Sequence, residues 1–132
     1  MSGTPDDPWT LSTPPGGSQF TAWREPQADP PALVAMVGTT EVRYQLCAIE
    51  DLHAMLVERG DWVALGNADE QKPAAEGTVE AWARSESNPV GGWYGLKKGL
   101  RGRFGNYVPP VLEALGLAEV EHNARNNRMR AL

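Results

Sequence analysis

The sequence predicts an α+β fold: N-terminal antiparallel β-hairpins and one helix, packed on a C-terminal unit of three short helices and a β-hairpin. Three observations carry this. Val42, Tyr44 and Leu46 alternate with Arg43 and Gln45, the period-two pattern of a half-buried strand. Ile49, Leu52 and Leu56 then fall on one stripe of a helix, with Gly60 placed to end it. After residue 74 the apolar positions come in three short helical groups, followed by two extended segments. A chain of 132 residues buries about two-thirds of its surface on folding, enough for one core without staples. The expected organisation is a disordered tail over residues 1–8 and a single domain over 9–132, its halves being residues 9–66 and 74–132.

The elements follow in order. Trp9–Thr13 and Gln19–Glu25 read as strands, joined through the turn chemistry of Pro14-Pro15-Gly16-Gly17. Phe20 and Trp23 are three apart and point to opposite faces, so both faces of that strand are partly covered. Ala32–Val37 is an apolar run of strand length, and Gly38-Thr39 turns it into the alternating strand Glu41–Leu46. The first helix runs from Ile49 to Arg59, and Trp62–Leu65 is a short extended piece. Thr78 caps a helix reaching about Arg84. Asn88-Pro89 opens a second, whose stripe is Val90, Trp93, Leu96 and Leu100. Asn106–Leu115 is the third, with Pro109 and Pro110 in its first turn and Gly116 at its end. Leu117–Glu121 and Arg128–Ala131 form the terminal hairpin, turned by residues 122–127.

Composition removes several function classes. Cys47 is the sole cysteine, so an intramolecular disulfide and a multi-cysteine zinc site are excluded. The longest solidly apolar run has six residues, far short of the roughly 20 that span a bilayer. The first residues lack a basic segment followed by an apolar one, and the expectation is a soluble, cytoplasmic protein. No metal or other cofactor is expected, and no catalytic residue. Cys47 and His53 straddle a strand-to-helix junction without a nucleophile signature, and Cys47 reads as a buried small hydrophobe. His53 reads as a boundary residue and His122 as part of a turn. Glu50-Asp51 is explained by the helix dipole.

The net charge of −5 hides a division. Residues 1–92 hold five Lys/Arg against 14 Asp/Glu, whereas residues 93–132 hold seven against three. The positive charge falls in two places. The first is the glycine-rich stretch 91–105, with Lys97, Lys98, Arg101 and Arg103 interleaved with Trp93, Tyr94 and Phe104. Cations neutralise phosphates, glycines permit close backbone approach, and aromatics stack on bases. The bland reading is a helix whose glycine face packs on another backbone, with Trp93 in the core and the cations on a solvated face; both stay open. The second is the terminal turn, with Arg125, Arg128 and Arg130 among Asn123, Asn126 and Asn127. It also reads as a solvated turn, where asparagine tolerates left-handed backbone.

Helix, helix, helix and a basic hairpin, with Leu112-Glu113-Ala114-Leu115-Gly116-Leu117-Ala118-Glu119-Val120 passing from a helix into a strand, resembles a winged helix-turn-helix. The resemblance covers about residues 74–132 and makes the C-terminal unit winged-helix-like, with Arg125 to Arg128 as the wing tip. On the stretch from Trp93 to Val120, the whole chain also resembles small uncharacterised actinobacterial proteins. The would-be recognition helix departs from the pattern, because only Asn106 and Tyr107 at its start suit DNA. The resulting expectation is a non-enzymatic nucleic-acid-binding protein, with duplex DNA favoured and no membrane contact. Its contacts are Lys97, Lys98, Arg101, Arg103, Asn106, Tyr107, Arg125, Asn127, Arg128 and Arg130. The alternative is a protein-interaction or scaffold domain with no nucleic-acid role. The five Trp are spread along the chain, as in a shared core, and a free sheet edge offers a route to a homodimer.

Overall fold

A computed structural model describes residues 1–132 and has the α+β architecture. Strands β1 (Trp9–Ser12), β2 (Gln19–Glu25), β3 (Ala32–Val37) and β4 (Thr40–Gln45) form one antiparallel sheet in the order β1-β2-β3-β4. The two expected hairpins are thus fused into a meander, because β2 also pairs with β3, placing Ala22 opposite Ala35. Register puts Trp9, Ala22, Ala35 and Val42 in one row and Leu33 beside Tyr44, the row facing the core. Trp23, Val34 and Arg43 form a row on the other face, where Val34 is buried between its larger neighbours.

Helix α1 (Ala48–Arg59) packs Ala48, Ile49, Leu52 and Leu56 into the core and ends at Gly60, whose left-handed φ of 68° closes it. β5 (Val63–Ala64), α2 (Val79–Trp82), α3 (Phe104–Tyr107), α4 (Pro109–Ala114), β6 (Ala118–Val120) and β7 (Arg128–Ala131) complete the chain. The second sheet has the order β5-β7-β6. No helix is long and apolar enough to cross a membrane. One core cluster joins both halves through Tyr44, Tyr94, Phe104, Leu112 and Met129.

Several expectations need correction. Residues 1–8 do not form a loose tail: the Gly3 carbonyl accepts from Arg24 N–H at 2.9 Å, and Ser2 donates to Asp7. Gly3 is required there, because a Cβ would sit 2.2 Å from the Trp9 ring. The helix expected over residues 89–100 does not form. The Asn88 side chain accepts from Val90 N–H and Gly92 N–H and donates to the Trp82 carbonyl, closing a turn, and Gly91 takes a φ of 76°. Three short helices still precede β6, but they are α2, α3 and α4: the expected middle helix is missing, and the one expected over Asn106–Leu115 is divided at Val108 into α3 and α4. The expected terminal hairpin does form, β6 pairing antiparallel with β7, and β5 adds to the other edge of β7, which is thus the central strand of its sheet. Only Trp9 among the five tryptophans is buried in the core.

Candidate interaction site

Two loops meet beside the β3–β4 hairpin, one at residues 68–72 and one at 97–103. Their positions are set by Glu80, which is 1% exposed. Thr78 caps α2, its Oγ1 accepting from Ala81 N–H, and this turns Glu80 inward. The Glu80 carboxylate accepts from Gly105 N–H at 2.9 Å, Phe104 N–H at 3.2 Å and Arg84 Nη2 at 3.0 Å. Burial pushes the Glu80 pKa up, against the pull of Gly105 N–H and Arg84. Arg84 reaches on to the carbonyls of Ala68 (3.1 Å) and Lys72 (2.8 Å), tying the first loop to α2.

The second loop is tied to the first. Glu70 accepts from Gly99 N–H (2.9 Å), Arg101 N–H (2.9 Å) and Arg101 Nε (2.8 Å). The Arg101 guanidinium leads in holding the Glu70 pKa down at about 2, ahead of the backbone donors. Asp69 pairs with Arg103. Arg84 and Arg101 both lie on the Trp93 ring, 4.5 Å and 4.4 Å from its centroid. Gly102 lets the loops touch, since a Cβ there would meet Glu70 N at 2.3 Å. Tyr44 Oη, on β4, donates to the Gly102 carbonyl at 2.9 Å.

Between these loops and the hairpin lies an open cleft of about 400 Å³, walled by Val37, Val42, Leu100 and Tyr107 and rimmed by Glu70 and Arg103. Lys97 and Lys98 are exposed on the loop that forms one wall, and neither has an ion pair. Lys72, on the opposite loop, is likewise exposed and unpaired.

The residues expected to meet nucleic acid fall into two groups with different partners. Of the first group only Arg103 lines the cleft, while Lys97, Lys98 and Arg101 lie on the loop whose Gly99, Leu100 and Gly102 line it. Arg128 and Arg130 lie on β7, where both stack on Trp62, 5.0 Å and 4.5 Å from its centroid. There Arg128 pairs with Glu121 and Arg130 with Glu119, each at 2.8 Å. Arg125 stands exposed without an ion pair at the turn between β6 and β7. Two expected contacts are structural. Tyr107 is buried with its ring 5.2 Å edge-on to Phe20. Asn127 is buried and closes the turn through Asn123, donating to its carbonyl and accepting from its N–H. Asn106 is half-buried on α3.

Sequence reading missed Asp69, Glu70, Glu80 and Arg84. A signal existed only for the last two, an acid and a base one helical turn apart after the Thr78 cap.

Outside the cleft, Cys47 is exposed at the start of α1 and is not the buried hydrophobe expected. Desolvation and then the Asp51 carboxylate push its thiol pKa up, which lowers the thiolate fraction. Asp51 also accepts from Tyr94 Oη at 2.8 Å. His53 is half-buried on α1. His122 Nε2 lies 2.6 Å from Glu113 and its Nδ1 3.0 Å from the Pro14 carbonyl, so this turn residue clasps the two ends of the chain.

Comparison with protein families matches residues 1–132, the whole chain, to DUF6855, a family of unknown function. The chain belongs to that family. No curated protein and no solved structure matches it.

Proposed function

We propose that this chain is a non-catalytic protein-interaction module whose partner sits in the cleft beside the β3–β4 hairpin. One observation carries the reading. Four of the five arginines in the basic segments are already matched by the chain's own carboxylates, Arg101 by Glu70, Arg103 by Asp69, Arg128 by Glu121 and Arg130 by Glu119, and Arg125 alone is unpaired. A phosphate backbone would have to displace these pairs, and the seven cations do not gather around one cleft. The cleft, in contrast, offers apolar wall from Val37, Val42 and Leu100 beside two free lysines. Concave apolar surface with a few polar groups at its rim is the usual form of a binding site.

The test is selection from a displayed random-peptide library against the full chain, followed by binding to Leu100→Asp. Leu100 is half-buried at the cleft, so the change alters the wall. The reading expects selected peptides to lose affinity about tenfold or more for that variant. It is overturned if selection yields no binder, or if the binders ignore the change while the variant remains folded. A second reading, a polyanion partner, rests on the unpaired Lys72, Lys97 and Lys98, and salt dependence separates the two.

A further inference from the structure

The edge of β4 is covered over half its length only. Gln45 N–H donates to the Tyr94 carbonyl and Leu96 N–H to the Arg43 carbonyl, each at 2.9 Å. Tyr44 and Gly95 form an antiparallel bridge. Residues 94–96 thus act as a fifth strand against the end of β4. At Lys97 the chain leaves the edge: Leu100 N–H turns back to the Lys97 carbonyl at 2.8 Å, and Glu70 captures Gly99 N–H.

Backbone groups of an antiparallel strand alternate sides with period two. The outward groups of Arg43 and Gln45 meet residues 94–96, so the N–H and C=O of Glu41 and the N–H of Arg43 point the same way. They have no backbone partner. This open stretch adjoins the cleft, where Val37, Thr40 and Val42 present side chains from the hairpin. A short exposed edge of this kind is a template for another strand.

Resting on the interaction reading above, we infer that the partner is an extended segment of another protein that adds to the β4 edge at Glu41–Arg43, continuing the line of residues 94–96, and that it carries acidic residues where it abuts Lys97 and Lys98. Strand addition takes affinity from main-chain hydrogen bonds and specificity from alternate side chains. One set of side chains enters the cleft against Val42 and Leu100, so those residues are apolar. The other set faces Glu41 and Arg43. Arg43 is already engaged by Glu25 at 2.7 Å and by Glu41 at 3.3 Å, so the charge that selects a partner is that of the lysines. Asp69 and Glu70 do not offset it, being held by Arg103 and Arg101.

The experiment uses the full chain and peptides of about ten residues, a long strand's length. One begins with an Asp-Glu pair, at the end that abuts Lys97 when it runs antiparallel to β4, and then alternates Val and Thr. A second carries Lys-Lys in place of that pair, and a third replaces alternate residues with Pro. Amide hydrogen exchange is followed at Glu41, and affinity is measured for Glu41→Pro, Glu41→Thr and the double charge reversal Lys97→Glu/Lys98→Glu. Proline removes the edge donor and is tolerated on edge strands, whereas threonine keeps the donor. Because Leu96 already sits opposite Arg43, the inference expects the Glu41 amide to slow about tenfold or more, with the acidic peptide only. It expects Glu41→Pro and the charge reversal each to weaken binding about tenfold, and Glu41→Thr to stay within about twofold.

Unchanged exchange at the Glu41 amide with the acidic peptide overturns strand addition, as does equal binding by Glu41→Pro and Glu41→Thr. If library-selected peptides still bind at Leu100 in either case, the interaction reading stands alone. Equal binding of the acidic and basic peptides overturns the acidic partner. Protection of Glu41 without peptide, with a doubled mass in solution, assigns the edge to a second copy and overturns it too.

Discussion

Glu80 and Arg84 lie one turn apart at α2, 3.0 Å between carboxylate and guanidinium, with side chains only 1% and 13% exposed. This pair holds the loop at residues 68–72 on one side and the start of α3 on the other. Breaking a buried pair leaves a charge without a partner, which costs about 3–5 kcal/mol. Glu80→Ala is expected to lose that much stability, and Glu80→Gln somewhat less because it keeps one acceptor oxygen. Urea denaturation checks this, and a loss of under about 1 kcal/mol would show that Glu80 does not organise the loops.

Gly102 separates close approach from simple glycine flexibility. Gly102→Ala forces a Cβ against Glu70 N and is expected to destabilise by about 1–3 kcal/mol, as overpacking does. Gly17→Ala, where nothing lies within 4 Å, should stay within about 0.5 kcal/mol. Thermal or urea unfolding of the two variants gives the comparison.

The folded protein holds the Glu70 pKa at about 2, below its ordinary 4.5, with Arg101 as the main cause. A depressed carboxyl pKa adds stability above the unfolded value, and that stability is lost as pH falls from about 4.5 towards 2. Glu70→Gln should flatten this acid limb. His122 acts in the opposite direction. Glu113, ahead of the Pro14 carbonyl, raises its pKa above 6.5, so its contribution is complete below 6.5 and is lost as pH rises through the raised value. His122→Gln should remove that loss. Unfolding midpoints measured across pH for the two variants separate the limbs.

Duplex DNA should bind weakly, with a shallow salt dependence. Seven phosphate contacts would give a log–log slope near about −6, whereas Lys97 and Lys98 acting alone give about −2. Arg101→Ala and Arg103→Ala are expected to lower stability by freeing Glu70 and Asp69 while leaving that slope unchanged. Fluorescence anisotropy over a salt series, paired with unfolding curves, measures both.

The sheet and α1 were legible because they rest on local pattern: strict alternation in residues 42–46, one apolar stripe from Ile49 to Leu56, and Gly60 after it. The Thr78 cap and the prolines opening α4 were legible for the same reason. The segment 89–100 misled because its apolar spacing is helical, yet four glycines weaken a helix by about 1 kcal/mol each and Asn88 supplies a turn in its place. The tail was misread because its order depends on Gly3 fitting under Trp9. The candidate site was the least legible part. Regional charge counts gave the C-terminal segment an excess of cations, but Glu70 and Asp69 reach Arg101 and Arg103 across separations of 31 and 34 residues. Only the fold brings those carboxylates to the arginines.

The central claim is that the cleft beside the β3–β4 hairpin, and not the basic segments, is where a partner binds. Amide-resolved NMR of the full chain with library-selected peptides tests it most directly. The account predicts shifts confined to residues 37–43 and 97–103, with the amides of 125–130 unmoved. Shifts centred on Arg125, Arg128 and Arg130, with residues 37–43 undisturbed, would contradict it.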